Sequence, residues 1–121
     1  MTTNVRDSLL LIFLVTFGSP LPAPAKSPDC AGVNGWATQM ALVHLKNAGI
    51  ADTNALDLTK IKTKRLASEK IGKDLYRQIH HISLTEKSGN VIEVITSNDA
   101  SNAECSMSGV DVFIISRHLG G

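Results

Sequence analysis

Many signatures of catalysis are missing from these 121 residues. There is no Cys-x-x-Cys pair, no Gly-x-Ser-x-Gly elbow, no His-Glu-x-x-His zinc motif and no phosphate-binding glycine loop. No apolar run approaches the roughly 20 residues that a membrane-spanning helix needs. Internal repeats and low-complexity tracts are absent. No Asn-x-Ser/Thr glycosylation site occurs either, which tilts the source towards a bacterial rather than a eukaryotic secretory route. Charge of one sign is also lacking, since the formal net charge is only +1. A near-neutral chain has no field with which to gather nucleic acid or other polyanions. Ready-made motifs for covalent, metal-dependent and nucleotide chemistry are therefore all wanting.

What the chain does contain begins with an address. A short polar start carries Arg6, which Asp7 offsets, so the free amino terminus supplies its net positive charge. "LLLIFLVTF", Leu9 to Phe17, is apolar apart from Thr16, and "GSPLPAPA" follows with helix-breaking prolines and small residues at Ala23 and Ala25. That order predicts a cleaved secretory signal peptide over residues 1–25 with an A-x-A site. The remainder, 26–121, is then a single small domain in a periplasmic or secreted location. Cys30 stands too far past Ala25, and without Leu-x-x-Cys context, for a lipid attachment. No membrane anchor is expected after cleavage.

Export decides what the cysteines do. There are two, Cys30 and Cys105, and an even pair in an oxidising compartment usually bonds. Cys105 lies within "SNDASNAECSMSGVDVF", a small, polar stretch with the chemistry of a loop. No nearby basic group marks its thiol as activated. The reading is a disulfide between Cys30 and Cys105. By chain-entropy reasoning, a loop of about 75 residues closed in this way contributes at most about 4 to 5 kcal/mol.

The periodicity then separates one helix from several strands. In "NGWATQMALVHLKNAGI", Trp36, Met40, Val43, Leu42 and Leu45 recur at helical spacing. Asn34 is the expected N-cap. Gly49 is the expected left-handed terminator, with Ile50 closing the end and Lys46 suiting the helix dipole. Beyond "ADTNALD" the pattern becomes that of strands. "KIKTKRLASEKI" alternates through Ile61, Thr63 and Arg65, although Ala67 to Leu75 also contains good helix formers, against which Gly72 argues. "DLYRQIHHISLTE" and "VIEVIT" flank the turn "KSGN" and predict a hairpin. "GVDVFIIS" is the last strand. The expected fold is α+β, one N-terminal helix packed on a four-stranded antiparallel sheet with one disulfide.

Candidate functional residues come from what that fold would leave over. Val110, Val112 and Ile114 share one strand face while Phe113 and Ile115 share the other. Ile92 and Val94 likewise oppose Val91 and Ile95. One helix covers one sheet face, so the second face is expected to lie under Leu56, Leu58 and Ile61, to be closed by curling of the sheet, or to meet another chain. The candidate binding residues are Phe113, Ile115 and Ile95, together with Tyr76 and His80 on the neighbouring strand. Lys62 and Lys64 join them, either as edge guards or as a basic stripe.

His80 and His81 are strand neighbours and so point to opposite faces, which does not suit a shared metal. The apolar phase shifts from Leu75 and Ile79 to Ile82 and Leu84, and this predicts a β-bulge near the two histidines. No cofactor, metal site or catalytic residue is expected. Together the residues predict a non-catalytic exported binding module of the inhibitor or immunity type. Its partner would be another envelope or exported protein, or a second copy meeting it through the sheet. The alternatives are a small hydrolase or metal-dependent protein using His80, His81 and Asp99, and a dimerising structural protein of the envelope.

Overall fold

The computed structural model describes residues 26–115; the expected leader, 1–25, lies outside them. Helix α1 (Trp36–Asn47) comes first, then two 3-10 turns, Thr53–Ala55 and Leu58–Lys60. Four strands follow: β1 (Lys62–Gly72), β2 (Leu75–Thr85), β3 (Val91–Ala100) and β4 (Asp111–Ile114). The strands pair antiparallel in the order β1-β2-β3-β4. α1 packs on one face, called inner below. This is the expected α+β architecture, with Ala67 to Gly72 in strand rather than helix.

The helix ends where its sequence says and begins where it does not. Gly35, not Asn34, is the N-cap, and no side chain caps the first turn. Thr38 Oγ1 instead donates to the Gly32 carbonyl at 2.7 Å, and Gln39 Nε2 to the Val33 carbonyl at 3.1 Å, folding the entry loop against the first turn. At the other end the amide of Gly49, at φ 71°, donates to Lys46 and that of Ile50 to Leu45. This paired arrangement satisfies carbonyls the helix cannot, and its left-handed residue suits glycine.

The buried seam of α1 is Ala37, Thr38, Ala41, Leu42 and Leu45, with Trp36 and Met40 packed at its margin. Ala37 and Ala41 let the helix sit close to the sheet, so the seam centres on them. Val43, which helical spacing placed in the apolar set, is left on the flank at 45% exposure. Opposite the seam lie Ile82 and Leu84 of β2 with Ile92 and Val94 of β3.

Leu56 and Ile61 join this same core and do not cross to the other face. Asp52 and Asp57 cap the two 3-10 turns, each accepting a backbone amide at 3.1 Å. The Asp57 amide donates to the Thr85 carbonyl, and the Lys87 amide to that of Ala55, both at 2.8 Å. Those bonds lay the segment against the end of β2, while Leu58 stays exposed.

β2 keeps strict alternation from end to end. Tyr76, Gln78, His80, Ile82 and Leu84 are all buried, and the residues between them are not. The bulge expected within β2 at the histidines does not occur; the register shift lies opposite them, on β1. Arg65 pairs with His80 and Ala67 with Ile79, so Leu66 is the additional residue, and a second shift follows between Lys70 and Gly72. Leu66 and Ile71 are displaced from the ladder and exposed.

β3 runs further than the sequence suggested, through Ala100. The loop proper is 101–110, and Cys105 in it bonds to Cys30 with a Cα–Cα distance of 5.7 Å and a sequence separation of 75. Trp36 Nε1 donates to the Ser108 carbonyl at 3.0 Å, and Asn98 Nδ2 to that of Cys105 at 3.2 Å. The loop is thus tied to α1, to β3 and to the segment preceding the helix.

Candidate functional site

Register places the candidate residues row by row. Lys64 pairs with His81, His81 with Ile95, and Ile95 with Phe113. One row therefore crosses all four strands on the outer face, basic at β1 and aromatic at β4. In the next row Lys62 pairs with Ser83 and Ser83 with Glu93, whose carbonyl accepts the Ile115 amide at 2.9 Å. Five of the seven candidates, Lys62, Lys64, Ile95, Phe113 and Ile115, thus share one face. No described element packs over it, and Phe113 is 59% exposed.

The polar members of that face sit around its apolar corner. His81 Nε2 lies 3.4 Å from Glu93 Oε1, an approach without hydrogen-bond alignment. Arg77 Nε donates to Asp99 Oδ1 at 3.1 Å. Ile95, Phe113 and Ile115 are thus bordered by an imidazole and carboxylates, with Lys62 and Lys64 at the far edge.

Tyr76 and His80 lie on the other side. Both belong to the inner face and are buried, His80 at 1% exposure. Across β3 they face Ala100 and Thr96, and the intervening pair is Gln78 with Asn98. The inner face is consequently divided. Its β2-end half is the apolar core, and its other half is a buried polar block of Gln78, His80, Thr96 and Asn98.

The segment before the helix closes over that block. Gln78 Nε2 and Arg65 Nη1 both donate to the Pro28 carbonyl, at 2.7 and 2.8 Å. Neither ring nitrogen of His80 has a hydrogen-bond partner among the described residues. Burial first, and the Arg65 guanidinium second, hold its imidazole below the ordinary range, with Asp29 opposing. His80 is therefore neutral at physiological pH. Sequence reasoning did not find Gln78, Thr96 and Asn98, because polar strand residues ordinarily face water. Their even spacing with Ile82, Leu84, Ile92 and Val94 was the available signal.

The residues of the enzyme alternative are not brought together. His80 points inward and His81 outward, and Asp99 is engaged by Arg77. A cleft of about 760 Å³ lies at the edge of β3 and includes His44, Asp99, Ser108 and Asp111. Ser108 Oγ there accepts the Asp99 amide at 2.8 Å and donates to the Gly109 carbonyl at 2.7 Å. Among the described residues no three His, Cys, Asp or Glu side chains gather as metal ligands. No described helix is long and apolar enough to cross a membrane.

The arrangement defines a disulfide-stapled α+β domain with one covered and one open sheet face. Comparison with known protein families, with curated proteins and with solved structures finds no match to this chain.

Proposed function

We infer that this protein is a non-catalytic exported binding module, of the inhibitor or immunity type, that docks on another exported or envelope protein through the outer face of its sheet. The observation that carries this reading is the row Lys64–His81–Ile95–Phe113 on a face that no described element covers. A monomer that stays alone has little reason to hold a large aromatic ring in water beside two isoleucines. Aromatic side chains at the centre of an interface commonly dominate its energy, which makes Phe113 the anchor. Lys62 and Lys64 would then meet an acidic border on the partner.

Export is supported by the leader-like order of residues 1–25 and by the Cys30–Cys105 bond, which an oxidising compartment maintains. The bond also stiffens the domain, and rigid surfaces bind with less ordering cost. The test is capture of a partner from the exported protein fraction by the wild type and by two folded variants. Phe113→Asp should lose the partner outright, and Lys62→Glu/Lys64→Glu should weaken it in a salt-dependent way. A partner retained equally by all three would overturn this reading.

A further inference from the structure

The two edges of the sheet are built differently. β1 is guarded: Lys62, Lys64, Arg65 and Lys70 line it, and two register shifts break its ladder. Lysines and bulges are the usual devices that stop a sheet edge from pairing with another. β4 has neither. Asp111 is its single charge, and Val112, Phe113 and Ile114 follow without interruption, Ile114 at 45% exposure. The ladder with β3 also continues one residue past the strand, because the Ile115 amide still donates to Glu93. Positions 111–115 thus form a five-residue edge centred on Phe113, with no strand on its outer side among the described residues.

Beside that edge, on the inner side, runs a groove of about 310 Å³ between the end of α1 and β4. Its apolar wall consists of Leu45, Ala48, Ile50, Val110, Val112 and Ile114. α1 therefore overhangs a space where one more strand would lie, and apolar side chains from such a strand would fill the groove. Directly opposed residues in an antiparallel pair share a face, so the added strand must bring apolar residues at alternate inner positions. β4 itself has that pattern, with Val112 and Ile114 inner and Phe113 and Ile115 outer.

We propose that two copies of this chain pair antiparallel along β4, joining their sheets into one of eight strands with both helices on the same side. The two-fold axis passes at Phe113. Phe113 then opposes its own image on the outer face, while Val112 opposes Ile114 of the second copy over the groove. Asp111 opposes Ile115 of the second copy rather than another aspartate, so no like charges meet. Five paired residues make a short ladder. Hydrogen bonds alone would hold it weakly, and the groove side chains carry the rest of the contact, as in other cases of strand addition to a sheet edge. This inference goes beyond the binding reading and does not rest on it.

Sedimentation equilibrium of the oxidised, purified protein should show a mass that rises with concentration from one chain to two. Ile114→Lys places a charge in the groove and should raise the dissociation constant by at least about tenfold. Cysteine cross-linking tests the register. Val112→Cys mixed with Ile114→Cys should give a heterodimeric disulfide under mild oxidation, since opposed strand residues stand within bonding range. Phe113→Cys should link to itself. A monomer at every concentration overturns the proposal. A dimer in which Val112→Cys and Ile114→Cys fail to link also overturns it, because two copies stacked through their outer faces would leave both positions apart. Neither result bears on capture of another exported protein, so the two readings fail separately.

Discussion

Arg65 and His80 are direct partners across the β1–β2 ladder, on the inner face, at the step where Leu66 is extruded. The guanidinium reaches the Pro28 carbonyl, and the imidazole is buried without a partner among the described residues. The groups charged or chargeable around His80 are Arg65 on β1 and Asp29 on the covering segment. β3 presents Thr96, flanked by Val94 and Asn98, none of which titrates.

That arrangement sets a pH dependence. The folded-state pKa of His80 is depressed, mainly by burial, so the unfolded chain binds the proton more readily. His80 then costs no stability above the unfolded value of about 6.5. Stability falls as pH drops from there towards the folded pKa and levels off below it. Urea midpoints should decline between pH 7.5 and pH 5. A His80→Gln variant should show a flatter profile over that window. An equal decline in both would place the titrating group elsewhere.

The helix seam makes a second expectation. Leu45 is buried at 2% exposure against the sheet, and Leu45→Ala should cost about 2 to 5 kcal/mol in denaturant unfolding. Val43→Ala should stay within about 0.5 kcal/mol, because exposed positions away from special features tolerate change. Similar losses at both positions would mean that the seam does not centre on Ala37 and Ala41.

Some of this was readable from the residues alone and some was not. The helix, the hairpin about "KSGN", the final strand and the cysteine pairing each depend on local pattern or on parity, and each stands where expected. The phase of β2 does not, because apolar Leu75 and Ile79 suggest a bulge in a strand whose alternation is unbroken. Gln78 and His80 are inward instead, and what makes room for them is the Pro28 carbonyl, fifty residues from Gln78 in the chain. No local pattern encodes such a contact. The same holds for Leu56 and Ile61, which were candidates to cover the second face. Two aspartate-capped turns steer them into the first core instead.

The staple is open to direct measurement. Protein isolated without reductant should give a single linked peptide carrying Cys30 and Cys105. Cys105→Ser should lower stability by about 2 to 5 kcal/mol, the usual range for removing a native bridge from a small domain. A change below about 0.5 kcal/mol would show that the hydrogen bonds from Trp36 and Asn98 to the loop hold it without the bond.

The outer face should tolerate charge as far as folding is concerned. With Phe113 59% exposed, Phe113→Asp buries no carboxylate in the monomer. Its far-UV circular dichroism should match the wild type. An unfolded variant would mean that Phe113 belongs to the core and would withdraw it as an anchor.

The Cys30–Cys105 bond also decides how the domain would answer a pull. Among the described elements, α1 and β1 to β3 all lie inside the ring that the bond closes, and β4 lies outside it. Tension applied at the two chain ends would enter the ring at Cys30 and leave it at Cys105, so it would not stretch the enclosed helix and strands. The force would fall on the contacts of Pro28 at one side and on the β3–β4 pairing at the other. β4 would peel first, leaving the ring intact with the edge of β3 laid bare, and its re-docking would restore the whole sheet without any of the enclosed elements having come apart.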